Sequence, residues 1–396
     1  MILRLAKKIR RAFFMLLNTV IPKDENLYLF MSFPDFSESP RVLYEYMRKS
    51  DPTSTLLWLV RDGKIAECLK DKGIQVEIFP GPRSVFSLLR AKTIITSHNQ
   101  LFGLTSKTQR YVSLWHGIPL KKINLMEADE NPSLLRAMFK RVSIMPATSD
   151  FTKTILNACF QIEERKIVVS GLPRNDSLFN PLSNAELQRL LGIDSQTHDK
   201  IVLFMPTFRQ GYMNRTEGRP ADSVNIFGFP SFDNDRFFDF LKKNKILFLC
   251  KFHPFEQSFF EKQESTNSCN FMLLRGKTLQ DKHIDLYRLI GRTDLLITDY
   301  SSVYFDYLLT DKPLLFVPTD LDQYRKKRGF LLEPYDFWTP GPKALNQDEL
   351  ESGMLKSLND PSFFRTKREE LKAVIHTHCD GNSSKRMAAH IRSAAS

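Results

Sequence analysis

The sequence is poor in the signatures that usually announce a chemistry. Its five cysteines (Cys68, Cys159, Cys250, Cys269 and Cys379) are scattered, odd in number and without CxxC spacing, which argues against a disulfide framework and for a reducing compartment. There is no Walker loop, no GxGxxG after a strand and no GxSxG, which disfavours P-loop NTPases, dinucleotide enzymes and α/β-hydrolases. His376-Thr377-His378-Cys379 lacks a second ligand pair at a plausible spacing and reads as the polar end of a helix, not a metal site. The apolar run Ala12–Ile21 is too short to span a bilayer, and no small-x-small cleavage site follows it. Internal repeats and low-complexity segments are also missing.

What is present begins with size and charge. At 396 residues the chain predicts two domains of similar size. Lys plus Arg minus Asp plus Glu is 57 − 45 = +12, so the partner is negative: nucleic acid, an acidic membrane surface or a phosphorylated substrate. No groove-binding module accompanies the charge, and nucleic acid is the weakest of these.

Residues 1–21 have a two-faced pattern. On a helical projection Ile2, Leu5, Ile9, Phe13, Leu16 and Val20 share one face, and Arg4, Lys7, Lys8, Arg11 and Asn18 the other, with Met15 the exception. A basic amphipathic helix of this type lies in the interface of an anionic membrane. The competing reading docks it on the protein's own core.

From Leu27 onward short β-prone runs alternate with helical spacing. Strands are expected near Leu27–Ser32, Leu56–Val60, Gln75–Phe79, Thr93–Thr96, Tyr111–Leu114, Ile144–Ala147 and Ile167–Ser170, and in a second series at Ile201–Met205, Ile246–Cys250, Phe271–Leu274, Leu295–Thr298 and Leu314–Val317. Alternation predicts parallel sheets covered on both faces, with ligands at the carboxyl ends of the strands. Polar residues 180–200 read as a domain connection, 211–235 as a mobile loop, and 361–376 as helical. The expected organisation is an α/β chain with a membrane-associating helix over 1–25, one Rossmann-like domain over 26–180, a second over 181–360, a cleft between them, and a segment 361–396 packing back on the first.

Candidate chemistry sits at strand ends. In Val112-Ser113-Leu114-Trp115-His116-Gly117-Ile118-Pro119-Leu120-Lys121-Lys122 a β-forming run stops at an imidazole, Gly117 permits a turn that a Cβ would block, and Pro119 stiffens the exit. This suits proton abstraction beside an anionic substrate. A core histidine bonded to backbone is the plainer alternative. In Ile297-Thr298-Asp299-Tyr300-Ser301-Ser302 an apolar strand gives way to a helix start, whose N–H groups and two hydroxyls can hold a phosphate or merely cap the helix, worth about 1 kcal/mol. Asp306, one turn on, accepts hydrogen bonds from ligand hydroxyls or faces solvent. Pro206-Thr207-Phe208-Arg209 and Lys251-Phe252-His253-Pro254 end two further strands with cationic groups, and such a set would neutralise a diphosphate without a metal. Asp233-Asn234-Asp235 has a DxD form but precedes a helical segment, so capping is the expected role.

Taken together and in order, Trp115-His116-Gly117-Ile118-Pro119-Leu120-Lys121, Gly171-Leu172-Pro173-Arg174-Asn175-Asp176, Pro206-Thr207-Phe208-Arg209, Phe252-His253-Pro254, Ile297 to Tyr307 and Arg328-Gly329-Phe330 resemble the CDP-glycerol glycerophosphotransferases of teichoic acid and capsule polymer synthesis. The likeness runs from about Leu27 to Arg386. It implies a GT-B arrangement with the nucleotide donor in the C-terminal domain, and a peripheral position on the cytoplasmic face of the cell membrane. It implies His116 and His253 as catalytic groups, and Trp115, Gly117, Ile118, Pro119, Arg174, Pro206, Thr207, Arg209, Lys251, Phe252, Ser301, Ser302 and Asp306 as the donor site, with no metal and no cofactor. Two departures stand out: Ile118 where the family often has Thr, and Ser37-Glu38-Ser39-Pro40 in place of a glycine-containing early loop. The first bears on contacts near the diphosphate, the second on the acceptor.

The expected reaction moves glycerol phosphate from CDP-glycerol to a hydroxyl of a lipid-linked saccharide or polyol-phosphate acceptor, with CMP leaving. A ribitol-phosphate transferase or a nucleotide-sugar glycosyltransferase on the same scaffold is the alternative within enzymes, and a non-catalytic membrane scaffold the alternative outside them. Whether the protein is a homo-oligomer is left open.

Overall fold

Runs of Leu, Ile, Val and Phe bounded by turn residues become two parallel sheets. The computed structural model describes residues 2–127, 131–193, 197–208, 226–253 and 269–394, with residues 2–10 as backbone alone. The first sheet contains β1 (Asp24–Met31), β2 (Thr55–Val60), β3 (Val76–Ile78), β4 (Ala91–Thr96), β5 (Arg110–Ser113), β6 (Val142–Ala147) and β7 (Ile167–Val169), in the order β3-β2-β1-β4-β5-β6-β7. The second contains β8 (Lys200–Phe204), β9 (Ile246–Cys250), β10 (Phe271–Leu273), β11 (Leu295–Thr298) and β12 (Leu314–Phe316), in the order β10-β9-β8-β11-β12. Every pairing is parallel. Both orders reverse direction once, between β1 and β4 and between β8 and β11, and such a switch point opens a crevice at the strands' carboxyl ends where ligands bind.

Contacts divide the chain into two units, one of Met1–His116, Glu127–Asp176 and His376–Ser396, the other of Gly117–Met126 and Ser177–Ile375. The chain thus passes between units at His116–Gly117, Met126–Glu127, Asp176–Ser177 and Ile375–His376. Of the C-terminal stretch, the helix Arg365–Ile375 belongs to the second unit and the helix Ser383–Ser393 to the first. Met387, Ala388 and Ile391 of that last helix enter the first core, around Phe30, Tyr44 and Trp58. The second core is phenylalanine-rich, with Phe204, Phe227, Phe229, Phe237, Phe248 and Phe271 buried.

Two stretches differ from their sequence reading. Within 180–200 lies a capped helix (Asn184–Leu191), which begins in a Ser183/Glu186 capping box, ends at Gly192 in the left-handed region and buries Leu187, Leu190 and Leu191. Three leucines at helical spacing outweigh the polar composition. The 211–235 stretch lies outside the described residues as far as 225, but Phe227 and Phe229 beyond it are core residues.

The N-terminal helix α1 (Ile2–Val20) half-buries Phe14, Met15 and Leu17 and is tied down by one polar residue. Asn18 is fully buried and donates from Nδ2 to the Leu104 carbonyl (2.7 Å) and to Gln109 Oε1 (2.9 Å). Lys23 Nζ returns to Asn18 Oδ1 (2.8 Å) and to the Leu89 carbonyl (2.5 Å). Phe13, Leu16 and Val20 are exposed. Among the described residues no helix is long and apolar enough to cross a membrane.

Candidate functional site

Two sets of strand ends carry the residues singled out, one in each unit. In the first, β5 ends at Ser113 and the ladder is prolonged by Leu114, whose N–H donates to the Thr96 carbonyl of β4 (2.8 Å). Trp115 then takes φ +51 and Gly117 φ +152, a pair of left-handed conformations that turns His116 out of the sheet and explains glycine after the histidine. His116 is half-buried. Its ring lies parallel to that of His98 at 4.2 Å and 6°, and tilted against Trp115 at 3.9 Å. Trp115 in turn meets the edge of Phe160 at 4.6 Å.

His98 went unnoticed in the sequence, although it follows β4 as His116 follows β5. It stands at the switch point between β1 and β4. Its Nδ1 and Ser97 Oγ are 2.7 Å apart, and Ser97 Oγ also accepts from the Phe33 N–H. Residue 98 has exposed surface, yet the ring is enclosed between His116 and Phe33, and the enclosed ring governs its titration. Burial holds the imidazole below its usual pKa; Glu38 opposes that shift and Arg174 adds to it.

Arg174 joins the same cluster. It comes from the 3-10 stretch Pro173–Phe179, is nearly excluded from solvent, and donates from Nη1 to Glu38 Oε2 and to the His116 carbonyl, both at 2.8 Å. The rest of its motif is joinery: Asp176 accepts from the N–H groups of Ser383 and Ser384 (2.7 Å each), Arg386 Nε donates to the Ser170 carbonyl, and a Cβ on Gly171 would lie 2.4 Å from Ser383 Oγ.

Gly117, Ile118, Pro119 and Leu120 are buried in the second unit. The Leu120 carbonyl accepts from the N–H groups of Leu331 (2.9 Å) and Leu332 (3.2 Å), Lys121 bridges Phe330, and Lys122 N–H donates to the Gly329 carbonyl. Gly329 has φ +74, and an added Cβ would come 3.0 Å from the Lys122 side chain. The Arg328-Gly329-Phe330 block therefore exists to seat the residues after His116. Ile118 is at home there because its side chain is buried.

The second set gathers at the carboxyl ends of β8, β9 and β11, adjacent strands by sheet order. Thr207 N–H donates to Asp299 Oδ1 (2.8 Å), which also accepts from the Tyr300 N–H (2.5 Å). Asp299 is fully buried and ties the β8 and β11 ends together, a role its place in the sequence motif does not display. Lys251 is buried, with Nζ donating to the Phe252 carbonyl (2.9 Å), and Phe252 enters the core. Phe208 and His253 meet at 4.9 Å, which brings the β8 and β9 ends together beyond Pro206. Ser301 and Ser302 are half-buried, and Ser302 precedes the short helix Val303–Tyr307 without a side-chain capping bond. Asp306 is buried and accepts from Tyr287 O–H at 2.7 Å, so it neither faces solvent nor lies open. Arg209 lies outside the described residues. Asp233 caps the helix Asn234–Lys243 by accepting from the Arg236 N–H (3.0 Å).

The first cluster can hold and orient a proton acceptor. The second offers an ammonium, an imidazole and hydroxyls to an anion.

Known proteins resemble this chain along its length. The family model described as CDP-Glycerol:Poly(glycerophosphate) glycerophosphotransferase matches residues 13–393. The teichoic acid poly(glycerol phosphate) polymerase of Bacillus subtilis (strain 168) is 27% identical over 381 residues, covering 91% of this chain and 47% of that protein. The teichoic acid glycerol-phosphate transferase of Staphylococcus aureus is 26% identical, covering 83% and 82%. The teichoic acid poly(ribitol-phosphate) polymerase of Bacillus spizizenii is 30% identical over 239 residues, 59% of this chain and 34% of its own. The chain thus spans about half the length of the first of these relatives and most of the second. In three dimensions the wall teichoic acid polymerase TagF aligns with a TM-score of 0.77 at 21% identity, covering 99% of this chain and 96% of that one, a likeness of fold.

Proposed function

The chain belongs to the CDP-glycerol:poly(glycerophosphate) glycerophosphotransferase family, and on that premise we propose that it transfers glycerol phosphate from CDP-glycerol to a hydroxyl of a lipid-linked acceptor, with release of CMP, in the synthesis of a teichoic acid-like or capsule polymer. One observation carries the proposal. His116 closes a strand, has its carbonyl bonded to a buried arginine and its ring stacked on a second imidazole, and is covalently joined to the unit that bears the anion-binding strand ends. A core histidine serving only the fold does not require that apparatus.

In this reading the acceptor hydroxyl gives its proton to His116, the oxygen attacks the β-phosphorus in line, and the bond to the CMP oxygen breaks. The protein forms no covalent bond with the substrate. Positioning and charge neutralisation supply the rate. Lys251 and His253, with the Ser301 and Ser302 hydroxyls and Thr207, receive the diphosphate. Asp299 serves them indirectly by holding the β8 and β11 ends in register.

The acceptor is confined to a bilayer, and α1 fits that confinement. Of its described apolar residues Phe13, Leu16 and Val20 are exposed and Phe14, Met15 and Leu17 half-buried, while Asn18 is locked inward, so an apolar strip is left uncovered by the protein itself. An outward apolar face beside basic residues suits an anionic membrane surface and a peripheral position at its cytoplasmic side.

Purified protein given CDP-glycerol and a panel of lipid-linked acceptors is expected to release CMP in step with acceptor extension. CMP release without extension, or neither with any acceptor, sinks the proposal. A second reading, ribitol-phosphate transfer, is favoured by the 30% identity to the poly(ribitol-phosphate) polymerase; competition between CDP-glycerol and CDP-ribitol for one site separates the two.

A further inference from the structure

We infer that Glu38 is a positioning residue for the base: through Arg174 it fixes the main chain of His116. The catalytic consequence rests on the transferase reading above; the geometric one does not.

Glu38 opens helix α2 (Glu38–Ser50) and lies in the very loop that lacks a glycine. Its φ is +61, a conformation that a residue with a side chain adopts only against steric cost. Helix capping does not account for it. Ser37, the preceding cap residue, makes no side-chain capping bond and donates its hydroxyl to the Pro34 carbonyl instead (2.5 Å). What the left-handed turn achieves is delivery of the Glu38 carboxylate to Arg174, a residue only 4% exposed within the first unit. A buried guanidinium needs a compensating carboxylate. The same segment also touches Arg174 from Ser39, whose Oγ accepts from the arginine N–H (3.4 Å).

The paired Nη1 then has a second acceptor, the His116 carbonyl, at the same 2.8 Å. That carbonyl belongs to the residue at which the chain leaves the first unit for the second, between two positive-φ neighbours, Trp115 and Gly117. Stacking fixes the plane of the imidazole; the arginine fixes the backbone that carries it. Removing the carboxylate frees Arg174 to turn towards other acceptors and leaves the His116 peptide without its tie. Misplacement of about 1 Å at a reacting group costs on the order of a hundredfold in rate.

The test uses the full chain with Glu38→Gln, Glu38→Asp and Arg174→Lys, the last keeping the charge but not the rigid planar guanidinium whose Nη1 donates to both acceptors. Two readouts are taken: the His116 ring signals by NMR in the ligand-free protein, assigned against His116→Ala, and kcat and KM for CDP-glycerol. Glu38→Gln is expected to move the His116 signals and to lower kcat by about ten- to a hundredfold with KM within about twofold, and Glu38→Asp to recover part of the rate. Unchanged His116 signals in Glu38→Gln overturn the inference, as does an unchanged kcat. Should Glu38→Gln fail to fold, Arg174→Lys is judged by the same two criteria. A wild-type protein that transfers nothing refutes the transferase reading, and the ring signals alone then decide the role of Glu38.

Discussion

Replacing Phe13, Leu16 and Val20 together by glutamine tests the membrane role of α1 without shortening the chain. These side chains are 59%, 61% and 71% exposed, so most of their apolar surface is still in water in the folded protein. Complete burial of such a side chain is worth about 1.5–3 kcal/mol, and the exposed share leaves about 1–2 kcal/mol each for a bilayer to recover. Three sum to about 4 kcal/mol, which at a factor of ten per 1.4 kcal/mol predicts a weakening of vesicle binding on the order of 10³-fold, or about 30-fold if lipid covers half that surface. The polar lock through Asn18 is untouched, so thermal stability should hold. Co-sedimentation with anionic vesicles at moderate salt is the assay, because basic residues that survive the substitution give residual binding which salt removes. A change under threefold in a folded variant would mean that this face does not meet lipid.

Further outcomes follow from the same geometry. His116→Ala should retain CDP-glycerol binding by calorimetry yet lose transfer by about 10²–10⁴-fold, the usual worth of a positioned base; normal CMP release with product formed would remove His116 from the mechanism. Glu186, held at a pKa of about 2 chiefly by Arg288 and secondly by the Ser183 N–H, should contribute about 1–2 kcal/mol of stability after allowance for its partial exposure. Because this carboxyl is depressed from an ordinary 4.5, the gap between wild type and Glu186→Gln in urea unfolding should be constant above pH 4.5 and close as pH falls towards 2; a pH-independent gap refutes the assignment. Gly291→Ala should lose about 1–3 kcal/mol, since its Cβ would sit 2.6 Å from the Leu178 carbonyl oxygen, a backbone atom that cannot swing aside; an unchanged urea midpoint would contradict this.

The strands were legible because they are buried on both faces: an uninterrupted apolar run ending in turn residues, such as Ile246–Cys250 or Leu295–Thr298, announces itself locally, and both have those bounds in the structure. The helix Asn184–Leu191 is harder to see: its Ser183-x-x-Glu186 start is a local signature, but its three buried leucines are diluted by polar neighbours. The site divides along the same line. His116, Lys251 and His253 could be picked out by standing at strand ends. His98 and Glu38 needed knowledge of strand order: each follows a strand that is separated in sequence but adjacent in the sheet, β4 and β1 respectively, and no local pattern encodes that neighbour relation. Asp306 was placed on the correct helix, but its partner Tyr287 comes from a different segment.

The motif from Trp115 to Lys121 is best understood as two half-motifs that meet at a peptide bond. Trp115 and His116 are held by residues of the first unit, through Phe160, His98 and Arg174. Gly117 to Lys121 are held by residues of the second, through the backbone of 329–332. In the transfer proposed above, where a base acts on the acceptor while the donor is bound elsewhere, this division lets each half be fixed by contacts within its own unit. The required discontinuity falls on Gly117, whose φ of +152 only glycine tolerates readily. This accounts for the order of residue types across the motif: aromatic and imidazole where stacking fixes a ring, glycine at the crossing, then buried apolar residues and proline where the backbone is anchored.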